Sequence, residues 1–196
     1  MVNELLSLPF TLKVATKDFH PKDHISFASN HPHPNNVPFV TEITIANPYN
    51  PTETETTLLW PDHCIQGTKG AELVPELDAS KVQHVIEKGQ DKRVEMYSAF
   101  AAPFSNPVVS CSGLADTLKE AGVTHVYVVG LAMDYCVKFT ALDAAKEGFS
   151  TYVVHEGTRA VDPTNWDNVK SELGKAGVKM VSAEGKEVGE LKKFAS

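Results

Sequence analysis

The chain has 196 residues and a formal net charge of −7, with 18 Lys and Arg against 25 Asp and Glu. That length suits one α/β domain with a sizeable core. The mild acidity, without a basic block, argues against a nucleic-acid or anionic-membrane role, and the apolar runs are far too short to span a bilayer. Met1 to Leu6 lacks the basic region and long apolar core of a signal peptide. Three cysteines, Cys64, Cys111 and Cys136, are too sparse for a disulfide framework. The expected compartment is the cytosol, with a nuclear or peroxisomal address left open.

In chain order, Val2 to Leu6 reads as the end of a helix closed by Pro9, and Thr11 to Thr16 as a strand. Residues 29 to 57 are rich in Asn, Pro, Thr and His with weak periodicity. They read as a long surface excursion with a short hairpin at Val40 to Ile45. Val82 to Glu87 is a second strand. Gly113 to Ala121 is a helix, with Leu114 and Leu118 four apart, Ser112 as cap and Gly122 as stop. Val123 to Val129 is a third strand, and Cys136 to Lys146 a helix whose Ala141, Ala144 and Ala145 allow close packing. Thr151 to His155 is a fourth strand, Trp166 to Ala176 a helix, Val178 to Val181 a fifth strand, and Gly185 to Phe194 a closing helix. Strands alternating with helices imply right-handed βαβ units, hence a doubly wound, mostly parallel sheet flanked by helices.

The most informative stretch is Val128-Val129-Gly130-Leu131-Ala132-Met133-Asp134-Tyr135-Cys136. A strand stops at a glycine, and six residues later a thiol opens a helical segment. Helix N-terminal amides and dipole favour the thiolate, the nucleophilic form. A lone cysteine is otherwise a small buried hydrophobe, so the reading depends on partners elsewhere. Asp18 and His20, two apart on an extended segment, face the same way. With His24, and with His63 in a Pro-containing loop, they suit Zn²⁺, Fe²⁺ or Mn²⁺. The plain alternative is solvated loop histidines, which is how His31 and His33 read. Lys88 ends the second strand, at the edge where ligands bind in open α/β folds. Near a thiol its charge would lower the thiol pKa. Tyr97 to Phe100 could wall an aromatic pocket. Cys64 reads as packing and Cys111 as an inert thiol.

These motifs occur in one order: Asp18-Phe19-His20-Pro21, Trp60 to Thr68, Glu87-Lys88-Gly89, Tyr97-Ser98-Ala99-Phe100 and Gly130 to Val137. Together they resemble the nicotinamidases of the isochorismatase-like cysteine hydrolases, from about Leu12 to the C-terminus. The long excursion before Trp60 resembles the fungal or yeast type. The resemblance implies that Cys136 attacks the carboxamide carbon of nicotinamide, releasing ammonia and leaving a thioester that water hydrolyses, in NAD salvage. It implies Lys88 as the triad lysine, and Asp18, His20 and His63 as ligands of a divalent metal, most simply Zn²⁺, with His24 as a further ligand. Trp60 and Tyr97 would bind the ring. The Leu131–Ala132 peptide would be cis, and the amides of Ala132 and Cys136 would form the oxyanion hole. The implied partner is a small molecule, with neither nucleic acid nor membrane, and with self-association left open.

The sequence departs from the family at one point. The family's general base is an aspartate ending a first, central strand upstream of the Asp-x-His motif. Before Thr11 the only acidic residue is Glu4. The expectation is therefore a single domain, residues 1–196, truncated at its N-terminus, with the central strand and the base missing. The alternatives are a strand borrowed from a partner or closure of the five remaining strands. An inactive metal-binding scaffold, or a hydrolase of another small amide or an isochorismate-like ether, would fit the same scaffold.

Overall fold

The computed structural model describes residues 1–193. Its helices are α1 (Val2–Leu6), α2 (Leu114–Glu120), α3 (Lys138–Lys146), α4 (Trp166–Lys175) and α5 (Lys186–Lys192). Its strands are β1 (Val14–Asp18), β2 (Glu42–Asn47), β3 (Asn50–Leu58), β4 (His84–Lys88), β5 (His125–Leu131), β6 (Ser150–Arg159) and β7 (Lys179–Val181). The parallel strands fall into two hydrogen-bonded sets, β1–β4 and β5–β6–β7. Both sets share one apolar cluster, in which Leu12, Val14 and Ile86 meet Val126 around Phe100, Leu114 and Leu118.

Helices cover both faces of the larger set, giving three layers. On one face, Val128 and Val153 pack on Val137 and Ala141 near α3 and on Val169 and Leu173 of α4. On the other, Val154 and Val181 pack on Leu5, Leu8 and Val188. Val153 and Val154 are both fully buried although adjacent side chains point to opposite faces. That is the mark of a strand covered on both sides.

Several boundaries differ from the sequence expectation. Strand β1 runs two residues further than Thr16, because its ladder with β4 starts only at Val14↔His84 and continues to Asp18↔Lys88. Strand β6 continues past His155 to Arg159, through polar residues without a strand pattern. Thr158 and Arg159 pair with Gly130 and Leu131, and a Cβ on Gly157 would lie 2.8 Å from Val129 Cγ1, so only glycine admits this approach. The expected excursion holds a longer hairpin than Val40 to Ile45, formed by β2 and β3. Cys136 does not open an α-helix. It lies in a π-helical turn, Met133–Val137, that precedes α3. The part of the closing helix expected to reach Phe194 lies outside the described residues.

One carboxylate of the hairpin gathers several of its ties to the body. Glu53 accepts from the Ser105 and Asn106 amides at 2.8 and 3.2 Å, from Ser105 Oγ at 3.0 Å and from Asn47 Nδ2 at 2.7 Å. These donors lower its pKa to about 2, with the Ser105 amide the largest cause. A depressed carboxylate stabilises the folded state above its unfolded pKa and loses that contribution as pH falls through the folded one. Glu53→Gln is expected to flatten the fall in melting temperature between about pH 4.5 and 2. Parallel thermal scans of the two proteins check this.

Candidate active site

Pairing across β1 and β4 places Asp18 directly opposite Lys88. Just beyond β1 the chain runs alongside a second loop. The His20 amide donates to the Cys64 carbonyl at 3.0 Å, the Gln66 amide to the His20 carbonyl at 2.8 Å, and the Ala28 amide to the Trp60 carbonyl at 2.8 Å. These bridges bring His63 next to His20 despite the long insertion between them. Asp18, His20 and His63 offer donor atoms that all lie within 4.8 Å of one another.

The donor set fits a divalent cation. His20 Nδ1 lies 2.8 Å from the Gly89 carbonyl, and His63 Nδ1 lies 2.8 Å from the Pro61 carbonyl. A carbonyl can only accept, so each Nδ1 carries the proton and each Nε2 keeps its lone pair. That is the second-shell arrangement that orients metal-binding imidazoles. His63 Nε2 lies 3.8 Å from Asp18 Oδ2. Burial pushes the His20 pKa down, against the nearby carboxylates, so this ring favours the neutral form. His24 stands outside the trio. Its Nδ1 bonds Ser26 Oγ at 2.8 Å and its ring lies 4.3 Å from that of His20. Among the described residues its Nε2 has no well-aligned hydrogen-bond partner, and burial, outweighing the Glu95 carboxylate and the Val94 backbone, lowers its pKa to about 4.

Lys88 is 4% exposed and has three neighbours. Its Nζ donates to the Met96 carbonyl at 3.0 Å and to Cys136 Sγ at 3.3 Å, and lies 2.5 Å from Asp18 Oδ1. The last is a close ionic contact rather than an aligned hydrogen bond, since Oδ1 has no partner of good hydrogen-bond geometry. A carboxylate therefore does stand against Lys88, although the sequence shows no acidic residue in the family's usual position. Burial opposes the Lys88 charge, but the Cys136 and Asp18 anions outweigh it and hold its pKa above the ordinary lysine value. For Cys136 the balance is reversed. Dehydration of the sulfur raises the thiol pKa, and the Lys88 ammonium pulls it down only in part. This differs from the low-pKa helix-terminal thiol read from sequence, because burial of the sulfur outweighs the pull of the ammonium. The Val137 amide reaches five residues back to the Ala132 carbonyl at 3.0 Å. The Leu131–Ala132 peptide is cis.

An aromatic group forms around Trp60 and Tyr97 and includes Tyr135, the residue before Cys136. Trp60 Nε1 donates to Tyr97 Oη at 2.7 Å, and Thr57 Oγ1 bonds the same oxygen at 2.7 Å. Tyr135, next to Cys136 in sequence, sets its ring 4.7 Å from Trp60, while Phe139 stacks on Tyr97 at 5.5 Å and Phe39 meets Trp60 edge-on at 5.3 Å. A cavity of about 660 Å³ adjoins Tyr97 and Tyr135, but Cys136, Lys88 and the trio do not line it. The chemistry, not this hollow, marks the site.

Sequence reasoning missed Tyr135, Phe139, Phe39 and Glu95. Glu95 is 5% exposed, accepts from the Met96 amide at 2.8 Å, and raises the pKa of His20, His24 and Lys88. Its signal was an acid between Val94 and Met96, both buried. His31 is a loop anchor, with Nε2 2.6 Å from the Ile25 carbonyl, and His33 is exposed. Cys64 is half-buried with φ 46°, and contributes its carbonyl to His20.

The isochorismatase domain family model matches residues 28–185. The chain belongs to this family. Among curated relatives, the nicotinamidase of Acinetobacter baylyi is 41% identical over 175 residues, covering 89% of this chain and 76% of that protein. A solved yeast nicotinamidase bound to the inhibitor nicotinaldehyde superposes with a TM-score of 0.79 at 32% identity, covering 88% of this chain and 80% of that one. The pyrazinamidase of Pyrococcus horikoshii in complex with zinc gives 0.66 at 32% identity, covering 92% and 82%. Within the isochorismatase family the chain thus falls among the nicotinamidases.

The His20 ring position depends on Gly89. Its φ is 69°, and a Cβ there would lie 2.4 Å from His20 Cε1. Gly89→Ala is expected to displace the ring and cut divalent-metal affinity about 10- to 100-fold, the usual effect of disturbing a ligand's support. Competition against a chromophoric chelator measures it.

Proposed function

We propose that this protein hydrolyses the carboxamide of nicotinamide to nicotinic acid and ammonia, in NAD salvage, through a thioester on Cys136. The observation that carries the reading is the contact of Lys88 Nζ with both Cys136 Sγ, at 3.3 Å, and Asp18 Oδ1, at 2.5 Å. A thiol, an ammonium and a carboxylate in contact are what amide cleavage by a sulfur nucleophile needs. Relatives that bear the name nicotinamidase across most of the chain supply the substrate class.

Cys136 Sγ attacks the carboxamide carbon. Lys88 stabilises the sulfur anion as it forms, and the thiol proton leaves with the departing nitrogen as ammonia. The oxyanion of the tetrahedral intermediate is assigned to the amides of Ala132 and Cys136. Water then attacks the thioester carbon, giving nicotinic acid and restoring the thiol, so atoms balance over the two steps. Asp18 faces Lys88 across the ladder and bears on the thiol through that ammonium. Trp60 and Tyr97 clasp the pyridine ring, with Tyr135 beside them.

Asp18, His20 and His63 would hold a divalent metal, assigned as Zn²⁺. Bound there, it would supply a fixed Lewis acid for the lone pair of the ring nitrogen and so orient the substrate. The partially exposed Cys64 and Cys136 and the exposed Cys111 are all free thiols, which suits the cytosol. Among the described residues, no helix is long and apolar enough to cross a membrane.

Ammonia release from nicotinamide by metal-replete protein tests the reading. Cys136→Ala is expected to abolish it, and Lys88→Met to lower kcat about 10²- to 10⁴-fold, the range for loss of a proton-handling group. Retained turnover in Cys136→Ala would refute the assigned nucleophile. Tyr97→Phe keeps the stack on Phe139 but removes the oxygen that Trp60 and Thr57 bond. It is expected to raise KM several-fold with little change in kcat, which steady-state kinetics resolve.

A further inference from the structure

Asp18 belongs to two constellations at once. Oδ1 lies 2.5 Å from Lys88 Nζ, which itself bonds Cys136 Sγ at 3.3 Å. Oδ2 lies 3.8 Å from His63 Nε2, inside the cluster that Asp18 forms with His20 and His63. One carboxylate thus turns one oxygen to the ammonium and sulfur, and the other to imidazole lone pairs. Neither side can drift away. Strand pairing holds Asp18 opposite Lys88, and Lys88 is 4% exposed, without room to swing into water. His20 is pinned by the Gly89 carbonyl, and is 1% exposed.

We propose that Asp18 is a shared carboxylate that couples the cation site to the thiol. A divalent cation held by Asp18, His20 and His63 makes Cys136 more reactive, and the Lys88 ammonium in turn weakens the hold on the cation. This rests on the metal-assisted amidase reading and adds a link between its two halves. The argument is electrostatic. With no cation, the Asp18 charge offsets the Lys88 charge that the sulfur feels. A cation on the other oxygen draws that density away and adds positive charge nearby, and both changes favour the thiolate. Conversely, the ammonium and the cation compete for one carboxylate. Asp18 is thereby a positioning residue for the thiol, acting through Lys88.

The test reads alkylation of Cys136 by iodoacetamide at neutral pH in chelator-stripped protein, with peptide mass spectrometry separating Cys136 from Cys64 and Cys111. Mn²⁺ is the probe, because it prefers oxygen and imidazole donors to thiolates. Saturating Mn²⁺ is expected to speed Cys136 alkylation at least about fivefold, the lower end of ordinary coupling between sites, and to leave Cys111 unchanged. In His63→Ala the Mn²⁺-dependent acceleration disappears. In Lys88→Met, Mn²⁺ binds at least about fivefold more tightly. Mn²⁺ that binds the parent protein without changing the Cys136 rate overturns the coupling, and that comparison needs no variant to fold. So does a folded Lys88→Met with parental affinity. Failure to bind Mn²⁺ at all overturns the metal centre and the coupling together. Ammonia release without a cation effect sinks the coupling and leaves the amidase reading intact. A cation effect without ammonia release does the reverse.

Discussion

A lysine ammonium cannot be sealed inside a protein alone, and the arrangement around Lys88 answers that constraint. Moving such a charge out of water costs several kcal/mol, recovered only by close opposite charge and well-placed acceptors. Here the compensation comes from Asp18 across the β1–β4 ladder, from the Met96 carbonyl and from Cys136. Each comes from a different part of the chain. Satisfying one buried charge therefore fixes the end of β1, the loop after β4 and the turn after β5 relative to one another. The same requirement makes the site fragile, since removing Asp18 would leave the ammonium uncompensated at a cost on the order of 3–5 kcal/mol.

The cluster of Asp18, His20 and His63 depends on that frame. Asp18 ends the strand that carries its partner's ladder, and His20 lies two residues on, its ring closed in by Gly89 directly after Lys88. Two adjacent residues of one turn, Lys88 and Gly89, thus serve the thiol and the imidazole respectively. Glu95 adds a second buried negative charge facing the same groups. The sulfur, the ammonium and the histidines accordingly share one electrostatic environment.

Much of this was legible in the sequence, and the reasons are physical. From Val123 onward, apolar strands alternate with helices stopped by Gly148 and Gly177, so the larger sheet could be read from periodicity. Asp18, His20, His63, Lys88 and Cys136 stood out because each is a reactive residue type beside a strand end or turn. The illegible parts involve partners distant in sequence. The polar tail of β6 is a strand only because Gly130 and Leu131 offer it an edge and Gly157 lets the backbones meet. The hairpin, rich in Thr and Glu, lacks an apolar pattern because few of its residues are buried; Ile45 is an exception. The π turn at Cys136 follows from one wide backbone hydrogen bond, which no local composition encodes. The contact of Asp18 with Lys88 could have been found by aligning the two strands in parallel register.

His20 and His63 lie 43 residues apart in sequence, yet their neighbourhood is knitted by backbone bridges between the segments around His20 to Ala28 and Trp60 to Gln66. The hairpin leaves from one side of that knit and returns to it. Its tip near Tyr49 can therefore be lengthened or shortened while those bridges keep both imidazoles in place, which makes the tip a graft point for new surface contacts.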